Sequence, residues 1–190
     1  MAIDIVEESA EALKDYSRIS IAFLVESRLR LEIIRNGLGG FNLIEEKVAH
    51  PYGKDYDHFE PPISWPQKWD ISKWGILSAF DGKTRVGGAA IAYDTQNVFM
   101  LEERKDLAAL WDIRIQPDFR GREIGTKLFQ HAVDWARARN CRYLKIETQN
   151  INVPACRFYA KQGCVLGSIN RFAYPDLPDE VQLIWYKGIG

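Results

Sequence analysis

The spacing of hydrophobic residues changes several times along the chain, and each change predicts an element. Ile3, Val6, Ala10 and Leu13 recur at three- and four-residue intervals, which predicts a short amphipathic helix over Ile3 to Leu13. Phe23, Val25, Leu29, Leu31 and Ile33 then alternate with polar residues over much of a long first strand. Asn36-Gly37 and Gly39-Gly40 mark a turn. Phe41 to Val48 fits either a second strand pairing back or the start of a helix. His50 to Trp74 is rich in aromatics and prolines, and its pattern suits an irregular loop covering one end of a sheet. Gly75 to Phe80 and Arg85 to Tyr93 predict a hairpin around Asp81-Gly82-Lys83-Thr84. A charged excursion, Asp94 to Asp106, precedes the apolar run Leu110 to Ile115, the expected central strand.

The second half is more regular. A helix is predicted over Gly125 to Arg139, with Leu128, Ala132, Trp135 and Ala136 on its buried face. Arg137 and Arg139 suit its C-terminal end, and Asn140 is a fair stop. Tyr143 to Thr148 is the next strand. Asn152 is placed to cap a second helix with Pro154 in its first turn. Cys164 to Asn170 and Val181 to Tyr186 would close the sheet. The expected fold is α/β, a mixed central sheet with helices on both faces.

Composition narrows the function. Apolar residues make up 46% of the 190, enough for a real core. The net charge of −1 argues against a nucleic-acid partner. The three cysteines, Cys141, Cys156 and Cys164, form no C-x-x-C pair, and the three histidines are scattered, so neither a disulfide framework nor a metal site is expected. No membrane-length apolar run or charged-then-apolar leader is present, so a cytoplasmic protein without a membrane partner is expected.

The candidate chemistry sits between Leu110 and Gly163. The strand ending at Ile115 runs into Gln116-Pro117-Asp118-Phe119-Arg120-Gly121-Arg122-Glu123-Ile124-Gly125-Thr126 and then a helix. A strand, glycines and a helix N-terminus present backbone N–H groups to a phosphate, and Arg120, Arg122 and Lys127 add positive charge. A P-loop requires G-x-x-x-x-G-K-[ST], but Gly121 and Gly125 are one residue too close and Thr126-Lys127 reverses the order. The dinucleotide spacing G-x-G-x-x-G is absent. Arg120-Gly121-Arg122-Glu123-Ile124-Gly125 resembles the coenzyme A loop [QR]-x-x-G-x-[GA] of the GNAT N-acetyltransferases, departing at Glu123. Asn152-Val153-Pro154-Ala155-Cys156-Arg157-Phe158-Tyr159-Ala160-Lys161-Gln162-Gly163 resembles the second signature of that family.

A narrower resemblance is to the streptothricin acetyltransferase branch. It is carried by Glu147 to Asn152, Ala155 to Tyr159, Pro51 to Asp57 and Ile184 to Lys187. The chain departs from that branch between Asp94 and Leu107 and at Leu110-Trp111-Asp112, both near the acceptor side.

The resemblance implies one GNAT domain over 1–190. Residues 1–73 would carry an N-terminal extension, the first strand and an acceptor-side segment; 74–190 would be the coenzyme-binding core. It implies acetyl-CoA as cosubstrate, held by Ile113, Arg114, Ile115, Arg120, Gly121, Arg122, Glu123, Ile124, Gly125, Thr126, Asn152, Ala155, Phe158 and Tyr159. The acetyl group would pass directly to a primary amine of a small molecule, such as a streptothricin-like antibiotic or a polyamine. Within the class, the alternative is a protein-lysine or N-terminal acetyltransferase. The alternative outside it is a non-catalytic acyl-CoA-binding sensor. The chain would act as a monomer or homodimer.

A lysine-like amine has a pKa of roughly 10.4, so about one molecule in a few thousand is neutral at pH 7. A positioned base recovers part of that deficit, typically about 10²–10⁴-fold. Family resemblance makes Tyr159 the acid for the leaving thiolate. Asp112 and Glu147 lie in otherwise apolar runs and are the candidate bases, Asp112 slightly ahead. Either could instead be paired with an arginine such as Arg114 or Arg142. Trp111, Trp185, Tyr174 and Phe172 are candidates for lining the acceptor pocket. Asp55, Asp57, Glu102, Glu103, Asp176, Asp179 and Glu180 are candidates for ringing its mouth.

Overall fold

The computed structural model describes residues 3–190. Its elements are β1 (Ile3–Glu8), α1 (Leu13–Tyr16), β2 (Phe23–Ile33), β3 (Phe41–Lys54), α2 (Trp65–Lys68), β4 (Gly75–Asp81), β5 (Thr84–Tyr93), β6 (Leu107–Ile115), α3 (Ile124–Arg137), β7 (Tyr143–Gln149), α4 (Val153–Lys161), β8 (Val165–Asn170) and β9 (Gln182–Gly188). By their contacts they form two compact units. The first holds the segment up to Ile21, Asp55–Ile146 and Lys187–Gly190; the second holds Ala22–Lys54 and Glu147–Tyr186. Among the described residues, no helix is long and apolar enough to cross a membrane.

In the first unit the strand order is β1-β4-β5-β6-β7. β1/β4, β4/β5 and β5/β6 are antiparallel, while β6 and β7 run parallel. Parallel neighbours need a long crossover, and α3 supplies it. α3 buries Ile124, Leu128, Phe129, Ala132, Val133, Trp135 and Ala136. Fully burying a large apolar side chain is worth about 1.5–3 kcal/mol, so this stripe holds the helix to the sheet.

The small residues of β5 let helices close on both faces. Adjacent strand residues point to opposite faces. A Cβ on Gly87 would meet Leu128 of α3 at 3.3 Å, and one on Gly88 would collide with the Tyr16 ring of α1. α3 and α1 therefore cover opposite faces of the sheet, as expected from the pattern.

The N-terminal expectation is corrected. Ile3–Glu8 is a strand, not a helix, and pairs with β4 from Ile3↔Asp81 to Glu8↔Ile76. The open edge of β4 offers this segment a full ladder, and β-branched Ile3, Ile5 and Val6 suit a pleat better than a helix. Helical residues begin only at Ala10, in a 3-10 turn leading into α1, where Leu13 and Tyr16 are buried.

In the second unit the expected first strand is β2. It pairs with β3 as a two-stranded ribbon, which settles Phe41 to Val48 as strand. The register jumps between Val25↔Tyr52 and Ser27↔Lys47, and this irregularity accommodates Pro51. The other strands follow the order β7-β9-β8. Asn150 stitches the pieces together: its Nδ2 donates to the Leu29 carbonyl at 3.0 Å and its Oδ1 accepts from Val181 N at 2.8 Å.

Gly88→Ala tests the close approach of Tyr16. Overpacking of this kind costs about 1–3 kcal/mol, so the melting temperature is expected to fall by roughly 3–10 °C in a thermal scan.

Candidate active site

The site begins with an interrupted strand. The β6–β7 ladder runs from Leu107↔Tyr143 to Leu110↔Ile146 and stops. At that point the β5–β6 register shifts, with Ala90↔Asp112 following Ile91↔Leu110, so Trp111 is bulged. A bulge bends its strand. Beyond it, Asp112–Ile115 stay paired to β5, and their other edge carries no ladder among the described residues. On the β5 side the pairing is continued by Gln116, whose N–H donates to the Val86 carbonyl at 2.9 Å.

The loop that follows turns through a 3-10 turn at Pro117–Phe119. Gly121 takes φ +77°, with open space where a Cβ would stand. Glu123 is the N-cap of α3 at φ 60°, ψ 6°, with no side-chain cap hydrogen bond. This left-handed conformation is one that glycine adopts without cost and other residues do not, which gives a physical reason for glycine in the pattern at the position Glu123 occupies. Glu123 is exposed. The positive end of α3, at Ile124 and Gly125, is not neutralised by a side-chain cap. Arg120 Nε donates to the Ile115 carbonyl at 3.3 Å, and the Arg122 guanidinium lies over the Phe119 ring at 4.9 Å.

Asp112 and Arg114 point to the face that α1 covers. Arg114, 1% exposed, binds Asp112 through Nε–Oδ1 at 2.8 Å and Nη2–Oδ2 at 2.7 Å. It also binds both oxygens of Asp57, at 2.9 and 3.1 Å, and the Ile19 carbonyl at 2.9 Å. The Tyr16 hydroxyl donates to Asp112 Oδ1, and the guanidinium lies 5.1 Å from the Tyr16 ring centroid. Burial, then the charge of Asp112, pushes the Tyr16 hydroxyl well above its ordinary value. Burial alone would weaken the charge on Arg114, but Asp112 more than offsets it and raises its proton affinity. Of the two candidate bases, Asp112 is thus paired with Arg114. The Arg114 side chain is fully engaged, so what it can offer a cofactor is backbone.

Glu147 has a different environment. Its Oε1 accepts from the Tyr174 hydroxyl at 2.6 Å and its Oε2 from Gln182 Nε2 at 2.8 Å. Further along β7, Thr148 Oγ1 accepts from Trp185 Nε1 at 2.9 Å. Asn152 caps α4, its side chain accepting from Ala155 N at 3.2 Å. Tyr159 is buried on α4, with the Phe158 ring 5.1 Å away in an edge-on arrangement.

Trp185 is buried, with its indole N–H on Thr148. Phe172 is 79% exposed. Trp111 joins an aromatic cluster with Trp69 and Trp74, at 4.9 and 5.4 Å. Three of the acids expected at an acceptor mouth are ion-paired instead: Asp57 with Arg114, Glu102 with Lys145 and Glu180 with Lys54. Sequence pattern does not single out Tyr16 or Gln182. No local signal marks them, because each matters through a partner far away in the chain.

The model of the acetyltransferase (GNAT) family matches residues 44–164. The chain belongs to the GNAT acetyltransferase family. It is an N-acetyltransferase, and the sensor alternative falls away. A streptothricin acetyltransferase of Escherichia coli is 38% identical over 77% of this chain and 76% of the relative. Streptothricin acetyltransferase A of Bacillus subtilis is 27% identical over 92% of this chain and 93% of the relative. Among solved structures, a protein described as a streptothricin acetyltransferase of Bacillus anthracis, in complex with acetyl coenzyme A, aligns with TM-score 0.76 and 26% identity. The alignment covers 98% of this GNAT chain and 99% of that one.

Two outcomes are expected. Asp112→Asn leaves Arg114 short of a buried counter-charge and should cost about 3–5 kcal/mol in chemical denaturation. Glu123→Gly relieves the left-handed strain and should gain about 1 kcal/mol, a rise of roughly 2–4 °C in melting temperature.

Proposed function

We propose that this chain transfers the acetyl group of acetyl-CoA to a primary amine of a small molecule of the streptothricin type. The observation that carries the proposal is the one-sided edge of β6 beyond Leu110, opening into the uncapped N-terminus of α3. A strand edge suits an amide-bearing pantetheine arm, and a helix N-terminus suits a pyrophosphate. Ile113, Ile115 and the backbone of Arg114 would take the arm. Arg120 to Thr126 would take the phosphates. The cosubstrate supplies an acetyl group already activated as a thioester, so the chain need not supply a nucleophile of its own. The relatives named for streptothricin support the acceptor class.

The remaining work is proton transfer. Glu147 is the base we favour. Its half-buried carboxylate accepts from the Tyr174 hydroxyl and from the Gln149 and Gln182 side-chain amides, donors that orient it. Asp112, bound by a buried guanidinium and Tyr16, instead serves as an anchor of β6. Tyr159, buried on α4 behind the Asn152 cap, is the acid that returns a proton to the leaving thiolate.

An acceptor screen that follows thiol release from acetyl-CoA, with streptothricin and polyamines among the amines, tests the reading. Turnover of streptothricin is expected; turnover of peptide amines alone would replace it with the protein-acetylating alternative. With the best acceptor, Glu147→Gln should lower kcat about 10²–10⁴-fold. Tyr159→Phe should lower kcat while calorimetry shows nearly unchanged acetyl-CoA affinity, because only a proton donor is lost.

A further inference from the structure

We propose that Tyr174 and Gln182 are positioning residues that hold the Glu147 carboxylate in the orientation acetylation requires. The proposal rests on the reading of Glu147 as the base. An unrestrained glutamate samples many rotamers, whereas a base must stay within hydrogen-bond reach of the proton it removes. Here the two carboxylate oxygens are held by donors from separate segments, with Gln149 Nε2 on β7 adding a longer bond to Oε1 at 3.4 Å. The Tyr174 hydroxyl reaches Oε1 at 2.6 Å from the loop between β8 and β9, and Gln182 Nε2 reaches Oε2 at 2.8 Å from the start of β9. Gln149 Nε2, on β7 itself, donates to the Tyr174 oxygen at 3.0 Å and orients that hydroxyl toward the carboxylate.

These donors differ in kind from those at Asp112. A guanidinium beside a carboxylate neutralises it, whereas a phenol and an amide fix its direction. Burial first, and then the charge of Glu147, raises the proton affinity of the Tyr174 hydroxyl, which keeps it a donor and prevents it from acting as a base. The loop that carries Tyr174 is braced at both ends. Phe172 N donates to Asn170 Oδ1 at 2.9 Å, Glu180 pairs with Lys54 at 2.5 Å, and Val181 N donates to Asn150 Oδ1 at 2.8 Å. A braced loop can hold a side chain at a fixed point in a way that a mobile one cannot.

A double-mutant cycle separates positioning from general support. Thiol release would be measured with streptothricin, or otherwise with the best primary amine from the screen, for the parent, Tyr174→Phe, Glu147→Gln and the double variant. Melting temperatures would be taken in parallel. Tyr174→Phe is expected to lower kcat about tenfold or more, with the KM for acetyl-CoA changed by less than about twofold. In the Glu147→Gln background the same substitution should change kcat by less than about twofold, because the group it positions is already gone. Gln182→Leu should behave in the same way. An equal loss in both backgrounds would mean that Tyr174 merely supports the fold, and the proposal would be overturned. So would a parental kcat in Tyr174→Phe while Glu147→Gln is slow. Parental rates in Glu147→Gln would instead sink the assignment of the base, and the positioning role with it.

Discussion

A buried guanidinium has to be answered on every side, and in the first unit Arg114 is answered by residues from four places. Asp112 comes from the same strand, Asp57 from the turn at Tyr56–His58, the carbonyl of Ile19 from the segment after α1, and the Tyr16 ring from α1 itself. Transfer of an isolated charge out of water costs many kcal/mol, so each partner is constrained once Arg114 is inside. The consequence is positional. β6 is clamped on the α1 face just after the bulge at Trp111, where its ladder with β7 has stopped. The edge that the proposed cosubstrate would use is thereby held rigid by charges on the opposite face.

The two carboxylates illustrate how differently one functional group can be surrounded. Asp112 is satisfied by a cation and a phenol in the interior. Glu147 is half-buried and accepts from a phenol and two side-chain amides. Local sequence does not separate them, since both sit in apolar strands. The distinction comes from which distant side chains arrive, and it is the ground on which we propose Glu147 ahead of Asp112 as the base.

Much of the framework was legible beforehand. The hairpin β4–β5, the central strand, α3, β7, α4 and the closing strands all appear within a few residues of where spacing and caps placed them. These elements carry their own punctuation: Gly82 at a positive φ in the hairpin turn, Asn140 at φ 59° after α3, and Asn152 bonded to Ala155 N at the start of α4. The N-terminal segment was misjudged because Ile3, Val6, Ala10 and Leu13 satisfy a helical period as readily as a strand with a following turn. The open edge of β4, invisible in the linear pattern, settled it.

The sequence by itself determined the family and the make-up of the loop at Arg120 to Thr126, because its glycines and the helix start are contiguous in the chain. It also placed Tyr159 in the motif after Asn152. Tertiary structure alone decided that Tyr16 and Asp57 join Arg114, and that Tyr174 and Gln182 converge on Glu147. Such pairs are separated by 27 to 96 residues in several cases. A short-range pattern holds no record of them, since hydrogen bonds and ion pairs depend on distance in space and not on distance along the chain.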